Sequence, residues 1–157
     1  MSKEEQINKL FRDIGRTLGA AESFTGGGFA NRIVSVSGAS HFFKGSLVTY
    51  ATEEKNRILG ISYQMIDEFG VVSQEVAGEM ASHAKSLLNV DYAVSFTGNA
   101  GPEAMENKPV GEIYIGIAFY DKCQVFAFHL DGTREEIKNK AIDIALDLLA
   151  KIISENK

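Results

Sequence analysis

Apolar residues at Ile7, Leu10, Phe11, Ile14 and Leu18 recur at helical spacing behind Ser2 and Glu5, which read together as a capping box. The pattern predicts an N-terminal helix that Gly19 stops. Ala20-Ala21-Glu22-Ser23 is a short stretch leading into Thr25-Gly26-Gly27-Gly28, after which Phe29, Ala30, Ile33 and Val34 predict a second helix. Ser46 to Tyr50 is rich in apolar, β-branched and aromatic residues and predicts a strand. Thr52 is placed to cap a short helix ending near Leu59-Gly60, and one or two further helical turns cover Tyr63 to Phe69. Ser73 opens a long helix through Val76, Met80, Ala84, Leu87 and Leu88.

Tyr92 to Phe96 is a short apolar run bounded by turn residues, the pattern of a buried strand. Ile113 to Phe119 and Val125 to Leu130 predict two strands joined by a tight turn at Asp121-Lys122. Thr133 and Glu136 form a second capping box before Ile137, Ala141, Ile144, Ala145, Leu148 and Ile152. Helices between strands imply an α/β fold, a three-layer α/β/α sandwich, and the final hairpin makes its β-sheet mixed.

The chain has 157 residues, 45% of them apolar, which suits a single domain over 1–157 that buries its own core. Its net charge of −5 argues against nucleic acid as the main partner. The one cysteine, Cys123, excludes a disulfide framework and a CxxC metal or redox site. The N-terminus is charged where a signal peptide turns apolar, and no run approaches the ~18 apolar residues of a membrane span. These features set the expectation of a cytoplasmic protein with no membrane partner.

Two glycine turns are the first candidates for chemistry. Thr25-Gly26-Gly27-Gly28 precedes a helix, where close backbone approach and unpaired N–H groups suit an anion, although an ordinary strand-to-helix turn reads equally well. Thr97-Gly98-Asn99-Ala100-Gly101-Pro102 follows the buried strand directly, the usual place of a ligand crevice in open α/β sheets, although an ordinary loop fits it as well. Neither a GxGxxG nor a GxxxxGK[ST] pattern occurs. Ser82-His83-Ala84-Lys85 matches SxxK without the accompanying elements and reads as part of an amphipathic helix. His41, His83 and His129 show no paired ligand spacing, so no metal is expected. Lys55 falls early in the helix that Thr52 would cap, where the helix end would lower its pKa against Glu53 and Glu54. A lysine base needs such a shift, although spacing alone favours a solvated surface lysine.

Ala21-Glu22-Ser23-Phe24-Thr25-Gly26-Gly27, Gly38-Ala39-Ser40, Val48-Thr49-Tyr50 with Lys55, Gly70-Val71-Val72-Ser73, Thr97 to Pro102, Lys108-Pro109-Val110-Gly111 and Gly132-Thr133-Arg134 occur in one order. Together they resemble the C-terminal domain family of the competence/damage-inducible protein CinA, the nicotinamide-nucleotide amidases, from about Ile7 to about Ile152. The resemblance implies hydrolysis of nicotinamide mononucleotide to nicotinate mononucleotide and ammonia, with no metal or cofactor and with self-association as a homodimer. It implies a Ser/Lys chemistry on Ser40 and Lys55, with Tyr50 as a third catalytic residue that orients Lys55 or shares its proton. It further implies substrate contacts from Glu22, Ser23, Thr25, Gly26, Gly27, Gly45, Thr97, Gly98, Ala100, Gly101 and Arg134.

The sequence departs from the family at Phe24, where cysteine is usual, and over Glu103-Ala104-Met105-Glu106-Asn107, where a glycine pair is usual. The second departure keeps an alternative open: a catalytically silent nucleotide-binding or partner-binding module of the same fold.

Overall fold

The computed structural model describes residues 1–156. In chain order the elements are α1 (Lys3–Ile14), β1 (Leu18–Glu22), α2 (Gly28–Val34), a 3-10 turn (Ala39–His41), β2 (Phe43–Val48), α3 (Thr52–Arg57), α4 (Tyr63–Phe69), α5 (Gln74–Leu88), β3 (Tyr92–Gly98), β4 (Glu112–Phe119), β5 (Lys122–His129) and α6 (Arg134–Glu155). The strands form one mixed sheet in the order β2-β1-β3-β4-β5. β1 runs parallel to both β2 and β3, while β4 and β5 continue antiparallel.

The helices cover the two faces. On one face Ile7 and Phe11 of α1, Phe29 and Ile33 of α2, and Ile137 to Ile153 of α6 bury against Val94, Phe96, Ile115 and Ile117. Phe11 stacks on Phe42, ring centroids 5.2 Å apart, and meets Tyr92 edge-on, which locks α1 to the sheet. On the other face Val76, Met80 and Ala84 of α5 pack with Leu59, Ile61, Val72 and Ala93. This is the three-layer α/β/α arrangement expected from the alternating pattern.

Both capping boxes are present, Ser2 with Glu5 and Thr133 with Glu136, and the Ser73 hydroxyl caps α5. The first helix, however, stops at Gly15, in the left-handed conformation at φ 65°, and not at Gly19. Leu18 and Gly19 belong to β1, a strand buried along its whole length. A Cβ on Gly19 would lie 2.7 Å from Leu88 Cδ1, so the glycine is there for the close approach of α5. Burial on both faces removes the alternation that marks a strand, and alanine and glycine carry little β signal, so the pattern extends the helix wrongly.

Smaller shifts occur elsewhere. β2 begins at Phe43, three residues before the expected Ser46. Ala51, not Thr52, is the N-cap of α3, and no side chain caps it. The last hairpin turns on Tyr120-Asp121, one residue earlier than expected, with Tyr120 at φ 52°. Cys123 therefore lies in β5, where its Sγ faces the Gly78 carbonyl.

Because β1, β2 and β3 are parallel, their carboxyl ends meet at one edge of the sheet. Ser23, Thr49-Tyr50 and Asn99 all emerge there. Open α/β sheets bind ligands at this edge.

Candidate functional site

Ser23 follows the last residue of β1 and precedes the turn into α2. Its N–H donates to the Phe96 carbonyl at 3.0 Å, and its own carbonyl accepts from Gly26 N–H at 3.0 Å. The side chain is 8% exposed, so the hydroxyl is held at the end of a buried strand with a narrow opening.

Lys55 is the fourth residue of α3 and is 1% exposed. Its ammonium donates to Ser23 Oγ at 2.9 Å, to the Thr49 carbonyl at 2.8 Å and to the Tyr50 carbonyl at 3.3 Å. Burial pushes its pKa down to about 8, against the opposing pull of the Glu106 and Glu53 carboxylates. About one Lys55 in ten is then neutral at pH 7. A neutral amine here keeps both carbonyls as acceptors and turns its lone pair to the Ser23 hydroxyl proton. The position in the helix does not supply the shift: with Ala51 as N-cap, Lys55 stands in the last turn of α3. Glu54 faces away, pairing with Arg57 at 2.6 Å.

The pair opens into a cleft of about 110 Å³, walled by Phe24, Thr52, Val71, Val72 and Met105 together with Thr97, Gly98 and Ala100. Whole-ligand pockets run to roughly 300–1,000 Å³, so the cleft has room for only one end of a ligand of that size. At that rim Arg134 donates to the Gly101 carbonyl at 2.6 Å and to the Tyr50 hydroxyl at 3.0 Å. Thr97, 1% exposed, spends its hydroxyl on the Val71 carbonyl at 2.6 Å and so supports the wall. No group of three or more His, Cys, Asp or Glu side chains suited to a metal occurs among the described residues.

The structure thus brings together Ser23, Tyr50, Lys55, Thr97, Gly98, Ala100 and Arg134. It does not bring Ser40. That serine is exposed in the 3-10 turn before β2, whereas Lys55 follows the end of β2. The intervening strand spans roughly 20 Å, six residues at about 3.3 Å each, so Ser40 cannot pass a proton to Lys55. Gly45 is likewise mid-strand, paired with Gly19 and away from the cleft. Tyr50 meets Lys55 through its backbone carbonyl; its phenol faces Arg134.

The glycine turn at 25–28 also holds no ligand-shaped anion site. The Glu22 carboxylate, fully buried, already accepts from Phe29 N–H at 2.8 Å and Ala30 N–H at 3.2 Å at the start of α2. It accepts as well from the Thr25 and Ser46 hydroxyls, each at 2.7 Å. Glu22, Thr25, Gly26 and Gly27 therefore build the turn that carries Ser23 and do not line the cleft. Gly101 serves through its carbonyl, as the seat of Arg134.

Ser23 has the setting of a strand–turn–helix nucleophile, a serine at the carboxyl end of a buried strand on a glycine-rich turn into a helix, but that setting shows only once β1 is known to be a strand. Phe24, Thr52, Val71, Val72 and Met105 carried no such signal, since their place in the wall depends on how four separate segments meet.

The same constellation lies within a chain whose residues 1–153 match the CinA C-terminal domain. The chain belongs to the CinA C-terminal domain family. It is 42% identical over 144 residues to a CinA-like protein of Endomicrobium trichonymphae, covering 91% of this chain and 34% of that one. A CinA-like protein of Flavobacterium psychrophilum is 41% identical over 154 residues, covering 98% and 37%. The chain thus spans about a third of the length of these curated relatives. Among solved structures, the competence damage-inducible protein A of Klebsiella pneumoniae superposes with a TM-score of 0.95 at 25% identity, covering 97% of this chain and 95% of that one. The competence/damage inducible protein CihA of Agrobacterium tumefaciens gives 0.91 at 29% identity, covering 99% and 94%. The CinA fold is therefore this chain's fold, and the Ser23–Lys55 cleft is a feature of its own side chains.

Proposed function

We propose that this CinA-family domain is an amidohydrolase that converts nicotinamide mononucleotide and water to nicotinate mononucleotide and ammonia, with Ser23 as nucleophile and Lys55 as base. The observation that supports the reading most is the buried lysine with a lowered pKa, 2.9 Å from a serine hydroxyl at the end of a strand. An amide is a poor electrophile with a poor leaving group, so it needs an activated nucleophile and a proton donor to nitrogen. Neutral Lys55 takes the Ser23 proton as Oγ attacks the carboxamide carbon. The resulting ammonium gives that proton to the departing nitrogen, ammonia leaves, and a nicotinoyl ester remains on Ser23. Water, deprotonated by Lys55, then cleaves the ester, and the Lys55 ammonium returns the proton to the departing Ser23 Oγ. Backbone N–H groups of the Phe24-Thr25 turn are the oxyanion donors in this reading. The carboxamide enters the narrow cleft, and the phosphoribosyl part lies over the rim beside Arg134.

Self-association as a homodimer belongs to the same proposal and is read from the solution mass. The competing reading, binding without turnover, draws on Met105, a bulky side chain in the cleft wall. One assay separates the two: purified protein with nicotinamide mononucleotide, followed for ammonia and nicotinate mononucleotide. Release of both, absent in Ser23→Ala, supports the amidase; calorimetric binding without release supports the silent module.

A further inference from the structure

Met105 and Lys108 close a two-residue turn, with Lys108 N–H on the Met105 carbonyl at 2.8 Å. Its two central residues, Glu106 and Asn107, have φ of 54° and 58°. Such a turn favours glycine or asparagine, so a glutamate at its first position stands against local preference. The side chain explains the position. Glu106 accepts from Val71 N–H at 2.9 Å and from Val72 N–H at 3.0 Å. Lys108 donates to the Phe69 carbonyl at 2.9 Å and to the Val72 carbonyl, and it pairs with Glu106 at 3.4 Å. The turn therefore grips the 69–72 segment by both its donors and its acceptors. Gly70, at φ 80°, leaves room for the grip: a Cβ there would lie 2.7 Å from Glu106 Oε1 and 2.8 Å from Lys108 Nζ.

Val71, Val72 and Met105 all face the cleft. We propose that Glu106 is a positioning residue of the Ser23–Lys55 cleft, fixing through the Val71 and Val72 backbone the wall that faces the reactive pair. The inference rests on reading Ser23 and Lys55 as reactive, not on the identity of the substrate. Glu106 also acts on the pair by charge. Burial opposes its ionisation, but the Val72 and Val71 N–H groups and the Lys108 ammonium outweigh that and hold its carboxyl below the usual range. It is thus an anion at neutral pH, and it favours the charged form of Lys55. The other ionisable groups around Lys55 are Glu53 on its own helix, Arg134 and the Tyr50 phenol at the rim, and Glu22 beside Ser23, whose carboxylate is committed to the start of α2.

The test uses two variants and two readouts on the free protein: amide hydrogen exchange at Val71 and Val72, and titration of Lys55 by its Nζ resonance. Glu106→Gln removes the charge and one acceptor oxygen. It should speed exchange at the two amides by about tenfold or more and move the Lys55 midpoint to lower pH. Glu106→Asp keeps the charge but shortens the reach. It should speed the same exchange while leaving the midpoint close to that of the unaltered protein, and it stands as the test of the grip if Glu106→Gln does not fold. A folded variant whose Val71 and Val72 amides exchange as slowly as before overturns the proposal, as does a Lys55 midpoint unmoved by Glu106→Gln. Neither readout requires turnover. An unaltered protein that releases no ammonia from nicotinamide mononucleotide ends the amidase reading and leaves this result standing or falling by itself.

Discussion

Lys55 Nζ and Ser23 Oγ stand 2.9 Å apart, from residues 32 positions distant in sequence, and both side chains are buried. The contact exists because β1 and β2 are parallel neighbours: the residue after one strand and the helix after the other emerge at the same edge. A serine at the opposite end of β2 has no such access.

That geometry separates two serines. Ser23→Ala should reduce turnover of nicotinamide mononucleotide by on the order of 10³-fold or more, since it removes the proposed nucleophile. Ser40→Ala, on an exposed turn, should leave the rate within about twofold and stability within about 0.5 kcal/mol. Steady-state kinetics on the two variants decide the assignment, and a silent Ser23→Ala would return the nucleophile to an unidentified group.

The fold was largely legible in the sequence, and the misplaced serine shows where legibility ended. Capping boxes at Ser2 and Thr133, the amphipathic stripe of α5 and the turn signals around β3 are local, and each element formed where its local chemistry directs. β1 was hidden because it is buried on both faces and built from Leu18, Gly19, Ala20, Ala21 and Glu22. Without β1 as a strand, nothing in the chain tells that Ser23 sits at a strand end or that Ser40 sits at the far edge. The resemblance pointed to Lys55, which lines the cleft, but proximity in a motif order is not proximity in space. The role of Glu106 was invisible for a related reason: its partners, Val71 and Val72, are 35 and 34 residues away and are reached through their backbones.

The Lys55 pKa of about 8 gives a pH dependence with a defined sign. In the proposed reaction the neutral amine is the active form, so kcat/KM should rise with pH through a midpoint near 8 and level off above it. For stability, the folded pKa lies below the unfolded value of 10.5, so between these limits the unfolded chain binds more protons. Stability attributable to Lys55 therefore rises as pH climbs from about 8 to about 10.5, and the cost of burying the charge is fully present below that window. The gain amounts to about 3 kcal/mol at ~1.4 kcal/mol per pKa unit. Urea denaturation of the unaltered protein and Lys55→Met across this range isolates the effect, because other alkaline titrations cancel in the difference. Equal pH slopes in the two proteins would show that Lys55 is not desolvated as described.

Glu22 anchors the turn that carries Ser23. Its carboxylate accepts four hydrogen bonds, two of them from backbone N–H groups at the start of α2. Glu22→Gln replaces one acceptor oxygen with a donor that faces other donors, which should cost about 2–3 kcal/mol in chemical denaturation. Because Ser23 is the next residue, turnover should fall as well, with hydrogen exchange rising at Phe29 and Ala30. A variant as stable as the unaltered protein would mean that the side chain re-pairs without strain.

Tyr50 divides its roles between backbone and ring. The carbonyl holds Lys55 at 3.3 Å, while the phenol, on a residue 62% exposed, meets Arg134 at 3.0 Å. Tyr50→Phe keeps the carbonyl and the ring and deletes only the contact to Arg134. If the phenol took part in proton transfer with Lys55, kcat would fall by on the order of 10²-fold or more. The geometry predicts otherwise. kcat should stay within a few-fold and its pH midpoint should not move, since none of the three Lys55 acceptors is altered. KM should rise by about three- to tenfold, because an unbraced Arg134 has to be ordered when substrate binds, at about 0.5–1.5 kcal/mol for one long side chain. Arg134→Ala should raise KM further, and the double variant should show little additional effect, since both changes remove the same brace. A loss confined to kcat in Tyr50→Phe would instead place the phenol at the reacting atoms, and the Ser23–Lys55 pair would then be incomplete without it.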